Sequence, residues 1–285
     1  MTAGTGRPVS VVVDSTSDLP EGTKSSHGIV TVPLTVTFGD QSFTDGVDLT
    51  PAEFLTRLKT SETTPTTSQP PVTAFAGAFS REIERGHDVF CMTIASELSG
   101  TLNAARLAAE SVDASRVRLL DSRTVSIHLG LGALAAARAA AAGADLDAVE
   151  SAAVDTTARS QIFVVLETLE FLRRGGRIGK AQALVGSVLS LKPVLTIREG
   201  HVTPLERVRT WRKAMDRMIE LVREQGPLEG LAIYHVGNEP DAKAMADRLS
   251  DLVPLDTILI GEIGSVVSTY AGPGALGLVP LRRKS

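Results

Sequence analysis

The chain has 285 residues, a formal net charge of −4 and a 43% hydrophobic fraction, with aromatics only 4%. Charges of both signs are interspersed, which leaves no basic field for nucleic acid, and the apolar fraction is ample for an aliphatic, Ala-rich core. The one cysteine, Cys91, excludes an intramolecular disulfide and a multi-cysteine metal site. Inside an apolar run it reads as a small buried hydrophobe in a reducing compartment. The length fits two lobes or one large α/β domain. Residues 1–8 lack the apolar stretch of a signal peptide. The longest apolar stretch, 127–144, carries His128 and Arg138 and is too short and too weakly hydrophobic to span a bilayer. A soluble, cytoplasmic, not membrane-spanning protein is expected.

Strands and helices alternate along the first half. The β-branched run Val9 to Val13 predicts a strand ending in the turn cluster Asp14-Ser15-Thr16-Ser17-Asp18. Ile29 to Phe38 reads as extended, with 41–45 pairing back across Gly39-Asp40. Pro51 to Lys59 reads as a helix capped by Thr50. Pro65-Thr66-Thr67-Ser68-Gln69-Pro70-Pro71 is a run of hydroxyls between prolines, too broken for helix or strand, and is expected as a loop. A helix from Val72 to Arg85, a strand at 89–95, a helix from about Leu102 and a strand at 116–120 follow, then the Ala-rich helix. This order predicts a parallel sheet covered on both faces, with ligands at the carboxyl ends of its strands, where the Asp14, Ser99 and Asp121 turns lie.

The second half departs from that rhythm. A strand at 163–166, a helix at 167–173, an apolar helix at 183–191 and a hairpin of 192–197 with 201–208 are expected. A charged helix at 210–225, a strand at 231–236, a helix at 240–253 and a strand at 257–263 lead to a Gly-rich tail. A hairpin among helices implies a mixed sheet. The fold class is therefore α/β in two lobes, 1–153 with a mainly parallel sheet and 154–285 with a mixed one.

Ser96-Glu97-Leu98-Ser99-Gly100-Thr101 sits between a strand and a helix start. Such a turn offers unpaired N–H groups and the positive end of a helix dipole, which suits an anion. Together with Thr66, Thr67 and Ser68 it suggests recognition of a carboxylate or phosphate. The same residues also read as a plain helix cap beside a solvated loop. Other chemistries fail on spacing. Gly272-Pro273-Gly274-Ala275-Leu276-Gly277 matches a dinucleotide fingerprint literally, but too little sequence follows it for the acidic residue that motif needs. Gly176-Arg177-Ile178-Gly179-Lys180-Ala181 lacks the glycine gap and the Ser/Thr of a P-loop. The five histidines (His27, His87, His128, His201 and His235) have no ligand spacing, so no metal, cofactor or catalytic residue is expected.

Eight segments carry a family resemblance: 14–19, Thr67-Ser68-Gln69-Pro70, Leu98-Ser99-Gly100-Thr101, Asp121-Ser122, Leu169 to Ile178, Leu191 to Leu195, Val208-Arg209-Thr210 and Gly272 to Gly277. In that order they resemble the DegV family over about 9–281. The resemblance implies a bacterial fatty-acid-binding protein of two α/β lobes. A long-chain fatty acid would be buried between them and presented to a separate fatty acid kinase, which makes acyl phosphate for phospholipid synthesis. It implies Thr67 and Ser99 as carboxylate holders, with Thr66, Ser68 and Gly100 beside them. Hydroxyls suit a carboxylate that must stay reactive better than a buried Arg would. Leu184, Val188, Leu189 and Leu191 are candidates for lining the acyl tunnel or for ordinary core packing. Arg209 matches the family's basic residue toward the kinase. Tyr270 stands where many members have His; tyrosine donates a hydrogen bond but cannot take up a proton near neutral pH. His235 is a candidate to fill that gap. An enzyme acting on a small acylated or phosphorylated metabolite through the same anion site is the alternative. An interaction protein with a vestigial pocket is a third reading.

Overall fold

The computed structural model describes residues 6–184 and 191–284. The chain forms two compact units, Met1–Thr35 with Ser68–Ala158, and Val36–Thr67 with Arg159–Ser285. The first unit opens with β1 (Val9–Asp14), α1 (Glu21–Ser26) and β2 (Val30–Val32). Extended structure then breaks at Pro33 and Leu34, and the chain enters the second unit as β3 (Thr35–Phe38) and β4 (Gln41–Thr44), turning at Gly39 as expected. Next comes α2 (Pro51–Thr60), whose Thr50 accepts from the Glu53 N–H while Glu53 reaches back to Thr50, a full capping box. Then β5 (Thr66–Ser68) pairs beside β3 in the sheet order β4-β3-β5.

Two expectations are corrected by this excursion. The expected division into 1–153 and 154–285 put 36–67 in the first lobe, whereas these residues group with the second unit. The cause is burial: Val36, Leu49 and Phe54 are almost fully buried, Phe38 and Phe54 pack ring to ring at 5.6 Å, and Asp45 accepts the Ser265 N–H. The proline-flanked loop is also partly strand. Prolines 65, 70 and 71 remove donors only at their own positions, so the three hydroxyl residues between them remain able to pair.

Back in the first unit come α3 (Val72–Glu84), β6 (Asp88–Thr93), α4 (Thr101–Val112), β7 (Val117–Asp121), α5 (Ile127–Ala141) and α6 (Leu146–Arg159). The sheet is β2-β1-β6-β7, parallel throughout, so the carboxyl ends of its strands share one edge. Val12, Val89 and Cys91 pack with Phe75 and Phe79 of α3 and Ala104, Ala105 and Ala108 of α4. Small residues on α4 let the helices lie close. Burial and the nearby Asp14 charge push the Cys91 thiol well up, so it is an inert core residue.

The second unit continues with β8 (Phe163–Val165), α7 (Glu170–Arg174), β9 (Lys192–Arg198), β10 (His201–Val208), α8 (Trp211–Arg223), β11 (Leu228–His235), α9 (Glu239–Leu249), β12 (Ile258–Glu262), α10 (Ser265–Ala271) and β13 (Leu276–Arg282). Its six-stranded sheet runs β10-β9-β8-β13-β11-β12 and is mixed: β11 and β12 are parallel, the other pairs antiparallel. The hairpin of β9 and β10 is as expected. Met215, Met218 and Val222 of α8 and Met245 and Leu249 of α9 cover Val165, Val194, Ile233 and Leu278, each such side chain contributing about 1.5–3 kcal/mol on full burial. The expected Gly-rich tail is instead α10 followed by a strand between β8 and β11. Pro280 is tolerated there because it falls in a gap of the ladder on that side, between the Leu278–Phe163 pair and the isolated bridge of Leu281 to Ser160. The expected apolar helix at 183–191 falls largely on 185–190, with Val188 and Leu189, and lies outside the described residues.

Candidate functional site

At the carboxyl edge of the first unit's sheet, acidic side chains hold the turns. Asp14 is fully buried and accepts from the N–H groups of Thr16 at 2.9 Å and Ile94 at 2.7 Å and from the Thr16 hydroxyl, tying the end of β1 to that of β6. Asp121 accepts from the Ser96 hydroxyl at 2.5 Å and the Arg123 N–H at 2.9 Å. Beyond them, Ser99 and Gly100 lie at the start of α4. Gly100 is the cap residue and no side chain caps the helix, so the plain reading of Ser99 as the cap does not hold. The Ser99 hydroxyl is half-buried, 2.8 Å from that of Thr101. Within the first unit Gln69 lies against this turn: a Cβ on Gly100 would stand 2.0 Å from Gln69 Oε1, so the absent side chain is what admits Gln69.

In the second unit, β5 alternates as a strand must: Thr66 and Ser68 are exposed and Thr67 is half-buried on the other side. The Thr67 hydroxyl is 2.6 Å from the Tyr270 hydroxyl. The Tyr270 ring lies against Gly175, where a Cβ would stand 2.4 Å from its carbons, and the Arg177 guanidinium sits 5.1 Å from the ring centroid. Gly272, at φ 76°, meets the Phe171 ring in the same way. The glycines of the Gly-Pro-Gly segment are therefore packing devices, Gly272 against Phe171 and Gly274 against the Glu167 side chain. Gly274 N–H donates to Val236 O at 2.9 Å, and Asn238 Nδ2 donates to Gly274 O at 3.3 Å and to Asp241 at 2.9 Å.

His235 is buried, and its Nδ1 accepts from the Asn238 N–H at 3.2 Å, which puts the ring proton on Nε2. Burial lowers its pKa, against the raising influence of Glu262 and Glu239. Arg209 is exposed, just before the Thr210 cap of α8. Glu170 is held down to about 2 by hydrogen bonds from Arg173 and then Arg174. Leu184 and Leu191 are half-buried. Among the described residues no group of three or more His, Cys, Asp and Glu could hold a metal ion, and no helix is long and apolar enough to cross a membrane. Sequence reasoning missed Gly175 and Arg177 as Tyr270's surroundings. The signal was present, since both lie in the segment 169–178 singled out for its resemblance, yet only the fold shows what they face.

The DegV family model matches residues 8–283. A DegV domain-containing protein of Streptomyces coelicolor is 39% identical over 277 residues, 96% of this chain and 98% of its own length. Among solved structures, a fatty-acid-binding DegV family protein from Thermus thermophilus is 33% identical with a TM-score of 0.89, covering 97% of this chain and 100% of that one. DegV of Bacillus subtilis, described as a fatty acid binding protein, is 28% identical with a TM-score of 0.88, covering 98% and 100%. With matches of this extent, the chain belongs to the DegV family.

Proposed function

We propose that this protein binds a long-chain fatty acid and presents its carboxylate to a separate fatty acid kinase, without catalysing a reaction itself. The observation that carries the reading is the whole-length likeness to solved proteins described as fatty-acid-binding. The Thr67 and Ser99 hydroxyls hold the carboxylate, and Thr66, Ser68 and Gly100 supply main-chain groups beside them. Each buried CH₂ contributes about 0.8 kcal/mol, so a sixteen-carbon tail offers roughly 12 kcal/mol before ordering costs. Hydroxyls leave the carboxylate nucleophilic enough for phosphoryl transfer in the cytoplasm. Arg209, exposed at the start of α8, faces the kinase.

Electrospray mass spectrometry of the purified protein should find a bound fatty acid, and the delipidated protein should take up palmitate. An empty protein that also refuses palmitate overturns the reading. Turnover of a small acylated or phosphorylated metabolite by the protein alone would favour the enzyme reading instead. In a reconstituted pair with a fatty acid kinase, Arg209→Ala should slow acyl phosphate formation while palmitate retention is unchanged, and Tyr270→His should not lower the rate. Equal turnover by parent and Arg209→Ala removes Arg209 from the docking face.

A further inference from the structure

At the amino-terminal edge of the first unit's sheet, opposite the strand ends described above, a glutamate, a serine and a histidine share one hydrogen-bonded line. Helix α3 ends in a Schellman motif: Gly86, at φ 88°, donates its N–H to Ile83 O at 2.9 Å, and His87 donates its own to Glu82 O at 3.0 Å. That reversal folds His87 back beside Glu82. Ser10, near the start of β1, lies between the two side chains, its Oγ 2.7 Å from Glu82 Oε2 and 2.7 Å from His87 Nδ1. Glu82 is buried, and its other oxygen accepts from Arg85 Nη1 at 3.1 Å. The His87 side chain is 33% exposed, and its Nε2 has no partner among the described residues.

The count of protons decides what this line can do. A carboxylate only accepts, so Ser10 gives its one proton to Glu82 and receives the His87 Nδ1–H on a lone pair. A Ser–His–acid triad needs His in the middle; here the middle member is Ser10, buried and with its proton committed. What remains is an imidazole with its proton fixed on Nδ1, its lone pair on Nε2, and a carboxylate behind it through one hydroxyl. Arg116 Nη2 also donates to His87 O, at 2.7 Å. Among the described residues, the charged groups joined to the line are three guanidiniums, Arg7, Arg85 and Arg116, against two carboxylates, Glu82 and Asp88. That excess suits an incoming anionic group. We propose that His87 is a phosphoryl acceptor, a modification site for a donor of the carboxylic–phosphoric anhydride class. The Nε2 lone pair attacks phosphorus, the N–P bond forms as the P–O bond to the acyl oxygen breaks, and the electron pair leaves on the carboxylate. The ring keeps its Nδ1 proton and gains a positive charge, which is balanced by Glu82, its Oε2 3.7 Å from Nδ1. Ser10 and Glu82 are positioning residues for that step, and the site stands whether or not the protein binds a fatty acid.

The test treats the full-length protein with acetyl phosphate at pH 8 and follows phosphorylation by intact mass and by peptide mapping. Phosphohistidine is lost in acid and kept in base, which separates it from phosphoserine and from an aspartyl or glutamyl phosphate. His27 is the internal control: it too is half-buried, with Nδ1 3.0 Å from a carbonyl, that of Thr23, and Nε2 without a partner, but it has no carboxylate behind it. His87 should be labelled at least about 10-fold faster than His27, the scale on which a partner behind an imidazole alters its chemistry. His87→Gln should remove that label. Ser10→Ala and Glu82→Gln should each slow it by about 10-fold, while Ser10→Thr, which keeps the hydroxyl, should label like the parent. Equal labelling of His87 and His27, or no label on His87, overturns the proposal, and that comparison needs no variant to fold. Labelling of His87 that Ser10→Ala and Glu82→Gln leave unchanged overturns it as well, since the acceptor would then owe nothing to the groups behind it.

Discussion

At the strand ends of the first unit the polar groups are carboxylates whose lone pairs are already taken: Asp14 by two N–H groups and a hydroxyl, Asp121 by the Ser96 hydroxyl and the Arg123 N–H. At Tyr270 in the second unit the hydrogen-bonded pair is neutral, a phenol and a threonine hydroxyl, with the Arg177 guanidinium over the ring and Gly175 packed against it. The difference separates locking from recognition. A carboxylate is a strong acceptor that fixes a turn, but it repels an incoming anion. An anion site at that edge must therefore avoid the neighbourhood of Asp14 and Asp121 and use hydroxyl and N–H groups such as those of Ser99 and Gly100. Thr67, held by one neutral partner, has no such conflict.

The comparison breaks most sharply on stability. Asp14→Ala strands two buried N–H groups and a buried hydroxyl, at about 1–3 kcal/mol for each left unsatisfied, and should cost about 3 kcal/mol or more in all. For a chain of this size that lowers the melting temperature by about 6–12 °C. Tyr270→Phe, made against the neutral set, should move it by no more than about 2 °C, since its ring packing survives. Thermal melts of the two variants beside the parent measure this. Similar shifts for both would mean that the carboxylates are no more structural than the phenol.

How far the two regions could be read beforehand differs for the same physical reasons. The parallel sheet was legible because fully buried strands such as 9–14 and 88–93 are continuous apolar runs, and each ends in a polar turn. The last strand was not, because Gly277 and Pro280 mimic a terminating loop; the gap in pairing between Leu278 and Leu281 makes a proline acceptable there. The excursion 36–67 was read element by element but assigned to the wrong unit, since nothing local in Phe38 or Phe54 says which core will bury them. At the candidate site, hydroxyl-rich composition pointed to the segments 65–71 and 96–101, and the family resemblance to Thr67 and Ser99 within them. The Tyr270 contact to Thr67 depends on a register that no local pattern encodes.

Ligand affinity sharpens the comparison at the next scale down. Thr67→Val and Ser99→Ala should each cost about 1–3 kcal/mol of palmitate binding, with melting temperatures of the delipidated proteins nearly unchanged. Isothermal titration beside the melts separates the two readouts. A hydroxyl that lowers stability but not affinity belongs with Asp14 among the locks, and its assignment to the head group fails.

The smallest expected effect lies in pH dependence, and it falls in the second unit. The pKa of His235 is lowered by burial, against the raising influence of Glu262 and Glu239, while in the unfolded chain a histidine titrates near about 6.5. Above that pH both states hold the ring neutral and the group has no influence. As pH falls below it, the unfolded chain takes the proton first, so stability declines and keeps declining through the lower folded pKa. Protonation would also place a hydrogen on Nδ1, where the Asn238 N–H now donates, and Asn238 in turn holds Gly274. Between pH 7 and pH 5 the parent should lose melting temperature more steeply than His235→Gln, whose amide oxygen offers the Asn238 N–H an acceptor without taking a proton. Amide exchange at 236–238 and 274 should accelerate in acid before that of β1 and β6. Parallel pH slopes for the parent and His235→Gln would show that the fold does not hold this imidazole neutral, and would remove acid sensitivity as a difference between the second unit and the carboxylate locks of the first.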